Sequence, residues 1–159
     1  IAQRRLSRKK GSLKNEKKSK NYIKQLKKVN RIHTHISNQR KDFLHKKSTE
    51  IANQYDVVCV EDLDMKAIAN KGFGNGKATM NNGYGMFLTM LDYKLARQCK
   101  KLVRVDKWFS SSQLCSCCGH KQKMSLNVRV YDCPECGNHM DRDINAAKNI
   151  LAEGIRQIA

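Results

Sequence analysis

Five of the seven cysteines in this chain fall between residues 115 and 136, and four of them repeat one pattern. Cys115-x-x-Cys118-Gly119 and Cys133-x-x-Cys136-Gly137 are two copies of a knuckle, separated by fourteen residues. A gap of two residues lets both thiolates of a knuckle reach one tetrahedral ion. The trailing glycine admits the left-handed turn that aims backbone N–H groups at sulfur. Paired knuckles of this kind are the ligand set of a zinc ribbon. Cys117 competes for a place in the first knuckle, but only the 115/118 pairing reproduces the glycine placement of the second. His120 and His139 read as surface histidines, because four thiolates already close the shell. A closed shell leaves no position for water or substrate, so the expected zinc is structural.

The second chemistry-bearing group is carboxylate. Glu61 follows the apolar run Val57-Val58-Cys59-Val60, and Asp141 and Asp143 stand just before a helical pattern that begins near residue 143. Carboxylates brought together from separate elements at strand ends are what a magnesium-dependent phosphodiesterase requires, since two hard cations need bridging oxygens. A plainer reading stands beside it. Asp143 has the residue type of an ordinary helix N-cap, and Glu61 and Asp62 could be solvated loop charges. Spacing alone leaves both open. Alternation along the strand puts residues 57, 59 and 61 on one face and 58, 60 and 62 on the other, so Glu61 and Asp62 cannot both serve one ion.

The elements that must position these groups can be read from periodicity. Residues 1–15 are a basic arm with a break at Gly11-Ser12. From about residue 16 to residue 55 the pattern is a long helix, with Ile23, Leu26, Val29, Ile32 and Ile36 forming a narrow stripe that Phe43, Leu44, Ser48, Ile51 and Tyr55 continue. That stripe should cover a core while the other faces meet solvent or phosphate. Residues 57–60 read as a strand buried on both faces. Residues 70–85, rich in Gly and Asn, read as a flexible loop. Met86, Phe87, Met90, Leu91, Leu95 and Cys99 mark a second amphipathic helix, residues 102–105 a second strand, and residues 143–155 a short final helix. Cys59 and Cys99 lie in these apolar patterns as free thiols. Strand, helix, strand and helix around an inserted module give an α/β architecture.

Charge adds a partner class. Residues 1–50 hold 17 basic and 3 acidic side chains, and residues 51–159 hold 15 and 11, which together make the net +18. So lopsided a balance points to a polyanion, because each phosphate neutralised releases condensed counterions. A solvated basic helix that binds nothing in particular is the plainer alternative, and an anionic membrane surface ranks behind nucleic acid, so no membrane partner is expected; no apolar run approaches the roughly 18 residues of a membrane span. Crowded, metal-spaced cysteines fit a reducing cytoplasm better than an oxidising compartment.

Taken together, these stretches resemble a known family. Q-R-R-L-S-R-K-K-G-S at 3–12, N-Q-R-K-D-F-L-H-K at 38–46, V-C-V-E-D-L at 58–63 and S-S-x-x-C-x-x-C-G-H at 111–120 are similar to the transposon-encoded TnpB (OrfB) proteins. So is C-x-x-C-G-N-H-M-D-R-D-I-N-A-A-K-N-I at 133–150. That family is understood as RNA-guided DNA endonucleases or transposases, kin to the type V CRISPR effectors. The resemblance spans essentially all 159 residues and corresponds to the C-terminal portion of such a protein. It implies a partial RNase H-like (RuvC) domain with a long basic N-terminal helix and an inserted four-cysteine zinc ribbon.

Residue by residue, Glu61 matches the second acidic residue of the RuvC triad and Asp143 the third. Asp141 matches a neighbouring aspartate that is not a primary ligand. Cys115, Cys118, Cys133 and Cys136 match the zinc ligands. Implied cofactors are one structural zinc and catalytic magnesium held by Glu61 and Asp143. Implied partners are DNA and a guide RNA, in a prokaryotic, nucleoid-associated cytoplasmic setting. The triad's first aspartate belongs to an earlier strand with no counterpart here, so the chain on its own is expected to cut nothing. The alternative is a non-catalytic, zinc-ribbon nucleic-acid-binding fragment of a decayed mobile element.

The expected organisation is a basic arm and long helix over 1–56, a RuvC-like core part over 57–110, the ribbon over 111–140 and the last motif and helix over 141–159. Arg4, Arg5, Arg8, Lys9 and Lys10 are the expected nucleic-acid contacts. Glu61 and Asp143 are expected to lie close enough to share a divalent-ion site, with Asp62 and Asp64 pointing elsewhere.

Overall fold

The segment expected as a basic arm is helical: α1 runs from Ala2 to Gly11. Its residues explain this, since Ala, Gln, Arg, Leu and Lys are strong helix formers and no β-branched residue interrupts them. The computed structural model describes residues 1–11, 19–68, 83–125 and 127–159. The glycine- and asparagine-rich stretch expected as a loop lies almost wholly outside the described residues. The chain divides into two compact units, Ile1–Lys47 and Ser48–Ala159.

In the first unit α1 lies alongside α2 (Lys20–Gln54), running in the opposite direction. Gln25 donates to the Ala2 carbonyl at 3.0 Å, Gln3 and His33 meet at 2.9 Å, and the Lys9 amine reaches the Asn21 carbonyl at 3.5 Å. Ser19 begins α2, its hydroxyl accepting from the Tyr22 N–H at 3.2 Å. The apolar stripe is covered less than its periodicity implies. Val29 and Leu44 are buried, whereas Ile23, Ile32, Ile36 and Phe43 are exposed.

The second unit is layered. Strands β1 (Val57–Glu61) and β2 (Lys101–Val105) pair in parallel, with Val58 opposite Leu102, Cys59 opposite Val103 and Glu61 opposite Val105. Parallel neighbours need a crossover, which holds the short α3 (Met65–Ile68) and the helix α4 (Tyr84–Arg97). On one face Val58 and Leu102 pack with Ile51 and Phe87 around Ala52, Leu91 and Leu95, the core formed by α4 and the last turns of α2. Lys100 closes the end of α2, its amine donating to the Ala52 carbonyl at 2.8 Å. On the other face lies α5 (Arg142–Arg156). Gly154 of α5 sits so near β1 that a Cβ there would lie 2.8 Å from the Cys59 Cβ and 3.6 Å from a Val103 methyl. Although helices cover both faces, β1 is half-buried along its whole length rather than fully buried. Among the described residues its only strand partner is β2.

Past β2 come the knuckles and an antiparallel pair, β3 (Val130–Asp132) and β4 (His139–Asp141). β4 runs straight into α5. Asp141 caps that helix, its carboxylate accepting from the N–H of Asp143 at 2.8 Å and of Ile144 at 3.2 Å. The cap therefore falls on Asp141 and not on Asp143. Cys99, expected within a helix, lies just past α4 and is exposed.

Candidate functional site

The four knuckle cysteines converge. The sulfurs of Cys115, Cys118, Cys133 and Cys136 all lie within 4.8 Å of one another. The contacts Cys115–Cys136 and Cys118–Cys133 are each 3.6 Å. A tetrahedron of Zn–S bonds has sulfur–sulfur edges of about 3.8 Å, so the cluster has the size such an ion requires. Cys117, His120 and His139 are not members. Both knuckles have the same backbone form: Gly119 (φ 76°) donates to the Cys115 carbonyl at 2.9 Å, and Gly137 (φ 68°) to the Cys133 carbonyl at 3.0 Å. Burial pushes the Cys115 thiol up, but N–H groups of Cys118 and Cys117 and the neighbouring Cys136 and Cys133 sulfurs outweigh it and hold the thiol at about 6. Four soft thiolates within reach of one point can hold a metal such as zinc.

Around the sulfurs is a small core of Cys115, Tyr131 and Cys133, with Met124 against it. The fully buried Tyr131 donates from its hydroxyl to the carbonyls of Gln113 and His120, each at 3.2 Å. Two buried asparagines of α5 then join the knuckle to the helix. Asn145 accepts from the Ser116 N–H at 2.9 Å and donates to the Leu114 carbonyl at 2.6 Å. Asn149 donates to the carbonyls of Ser111 at 2.8 Å and Leu114 at 2.7 Å. Sequence reading did not find these asparagines, because their partners lie 29 to 38 residues away.

The acidic residues have different fates. Asp62 is ion-paired with Arg104 at 3.5 Å, Asp64 caps α3 by accepting from the Ala67 N–H at 3.0 Å, and Asp141 caps α5. Glu61 ends β1 and shares the face of Cys59, two residues earlier, which is the face covered by α5. Burial raises its carboxyl above the ordinary range. Tyr84 holds the main chain here, its hydroxyl donating to the Glu61 carbonyl at 2.9 Å. Leu151 and Gly154 of α5 lie over Cys59, in the middle of β1, while Asn145 and Asn149 are bonded to residues 111–116, beyond the carboxyl end of β2. Asp143, in the first turn of α5, is exposed. Among the described residues the four cysteines are the only group of three or more potential metal ligands brought together, and neither Glu61 nor Asp143 belongs to such a group.

The first unit presents cations. A cleft of about 610 Å³ is lined by Lys9 of α1 and by Lys24, Lys27, Lys28 and Arg31 of α2, with no acidic residue among the described ones. Arg4, Arg5, Arg8 and Lys10 are exposed on α1. On α2 the cations of the cleft recur at steps of three and four (Lys24, Lys27, Lys28, Arg31), on the long helix whose other faces were expected to meet solvent or phosphate, although the individually named contacts all lay in α1. No helix of the described residues is long and apolar enough to cross a membrane.

Two family models match this chain in tandem. Residues 2–71 match OrfB_IS605, described as "Probable transposase", and residues 84–150 match "Cas12f1-like, TNB domain". Along both stretches the chain is similar to the TnpB (OrfB) family. A relative in Streptomyces pristinaespiralis named "Putative RNA-guided DNA endonuclease" is 41% identical over 97% of this chain and 37% of its own length. InsQ of Escherichia coli K12, bearing the same name, is 32% identical over 96% and 40%. The TnpB-like protein L79 of Acanthamoeba polyphaga mimivirus is 31% identical over 84% and 27%. The chain thus spans two fifths or less of these TnpB relatives. A chain in the cryo-EM structure of the Cas12f1–sgRNA–target DNA complex shares its fold, with TM-score 0.56 and 22% identity over 93% of this chain and 40% of that one.

Proposed function

We propose that this chain supplies two of the three metal-binding carboxylates, Glu61 and Asp143, of a RuvC-type nuclease centre in an RNase H-like fold. The third carboxylate comes from outside these 159 residues. The complete centre hydrolyses phosphodiesters in DNA, under the direction of a guide RNA, within a transposon-encoded system acting in the cytoplasm at the nucleoid. The observation that carries this reading is the division of labour among these acidic residues: Asp62, Asp64 and Asp141 are spent on an ion pair and two caps, whereas Glu61 and Asp143 have no such role among the described residues. The hard oxygens of the two remaining carboxylates suit magnesium. Bound magnesium supplies stabilisation of the attacking and leaving oxygens of the displacement.

The chain's own residues do the positioning. Tyr84 fixes the end of β1, and Asp141 and Asn145 fix the first turn of α5, whose N-terminal end favours a nearby phosphate. Zinc at the four cysteines is structural, holding the segment to which α5 is tied. The basic cleft between α1 and α2 takes phosphate backbone without reading bases, because lysine ammonium groups are point charges. DNA and guide RNA are accordingly the proposed partners, in keeping with what the relatives' names say of them.

The test is cleavage by a full-length protein that carries this sequence. Glu61→Gln and Asp143→Asn should each bring magnesium-dependent cutting of target DNA to background while leaving nucleic-acid binding intact. Either variant cutting at the unsubstituted rate defeats the assignment.

A further inference from the structure

The chain has one tryptophan, Trp108, and it is 80% exposed. An indole is a large apolar surface, and leaving it in water forgoes the stabilisation that its burial would bring. Nor does it belong to a loose segment. Asp106, directly after β2, organises a turn around it: its carboxylate accepts from the Trp108 N–H at 2.7 Å, and its carbonyl accepts from the Phe109 N–H at 3.0 Å. The Lys107 amine lies 5.2 Å from the centre of the indole ring, a cation held against the aromatic face. The position is also specific. Trp108 follows Val105 by three residues, and Val105 pairs in register with Glu61. Three residues span at most about 10 Å. The exposed ring therefore stands at the carboxyl end of the strands, on the turn next to the proposed carboxylate centre.

We propose that Trp108 is a stacking platform for an unpaired base of a single-stranded nucleic acid, with Lys107 beside it to meet the adjoining phosphate. The ligand's identity rests on the phosphodiesterase reading of Glu61 and Asp143. Every base has a π-face, so such a platform holds a strand near the carboxylates without selecting its sequence. A duplex, with its bases paired and stacked, offers the ring nothing.

Because Trp108 is the only indole, its emission reports the contact directly. The zinc-loaded 159-residue chain would be titrated, without magnesium, with a thymidine oligomer, an abasic oligomer of equal length and a duplex, binding being followed separately by anisotropy of a label on the oligomer. The expected result is saturable quenching by the thymidine oligomer, and by the corresponding uridine oligomer, with none from the abasic strand or the duplex even where they bind. Trp108→Ala should weaken thymidine-oligomer binding about 5- to 150-fold. Trp108→Phe should restore most of that loss, and neither variant should change binding of the abasic strand. Equal quenching by the abasic strand, binding of the thymidine oligomer without quenching, or unchanged affinity in Trp108→Ala would overturn the proposal. So would emission that shifts with protein concentration alone, which would assign the ring to a contact between copies of the chain. Magnesium is absent throughout. Quenching that persists where the full-length protein fails to cut DNA defeats the nuclease reading and leaves this one standing.

Discussion

Asn145, wholly buried in the first turns of α5, accepts a hydrogen bond from the backbone N–H of Ser116 at 2.9 Å. Ser116 lies inside the first cysteine knuckle, and Asn145 is two residues beyond Asp143. One side chain thus ties the start of the helix to the metal-binding turn. Removing it leaves the Ser116 N–H without that acceptor, while the Leu114 carbonyl keeps its bond from Asn149 at 2.7 Å. Asn145→Ala should therefore cost about 1–3 kcal/mol, the desolvation penalty of one orphaned group. Thermal unfolding of the zinc-loaded chain measures this, and an unchanged midpoint would show that the tie carries no load.

The two adjacent cysteines of the first knuckle should behave oppositely. Cys118 belongs to the sulfur cluster and Cys117 does not. Elemental analysis should find about one zinc per chain. Cys118→Ser should lose it and Cys117→Ser should keep it. The reverse result would mean that the knuckle is assigned to the wrong thiol.

Gly154 sets how closely α5 approaches β1. An added methyl meets Cys59 at its Cβ, 2.8 Å away, and at its sulfur. Gly154→Ala should destabilise the fold by about 1–3 kcal/mol through overpacking. Cys59→Ala in the same chain should recover part of that loss, since it removes the sulfur and leaves the Cβ. A double-mutant cycle in chemical denaturation reads the coupling, and strict additivity would refute the close contact.

How much of this could be read from the sequence depends on how local each feature is. The knuckles were legible because four ligands and two glycines are fixed by spacing along the chain. The strands were legible at 57–60 and 102–105 from short apolar, β-branched runs, and the last helix over 143–155 from its helical pattern. The helix α1 was not, because its run of Arg and Lys reads as an arm although the same residues favour helix. The cap of α5 was offset by two positions, since both Asp141 and Asp143 have the right chemistry and only the hydrogen bonds to Asp143 and Ile144 distinguish them. Asn145, Asn149 and Gly154 gave no signal at all, because their roles exist only once α5 is folded back over residues 111–116 and β1.

The cations of the helical pair should govern salt dependence. If the cleft lined by Lys9, Lys24, Lys27, Lys28 and Arg31 takes phosphates, each contact removed lowers the log–log slope of affinity against salt by about 0.7 to 0.9. Replacing Lys24, Lys27, Lys28 and Arg31 by Gln should flatten the slope, as should replacing Arg4, Arg5, Arg8, Lys9 and Lys10. A slope unchanged in the first set would remove the cleft from the binding surface.

The central claim is that Glu61 and Asp143 serve one divalent ion. Manganese can stand in for magnesium, and its paramagnetism broadens the NMR signals of residues near it. Titrated into the zinc-loaded chain, manganese should broaden Glu61 and residues 142–144 together, and Glu61→Gln should abolish the effect at both places. Broadening at Glu61 without Asp143, or at Asp143 unaffected by Glu61→Gln, would contradict the account.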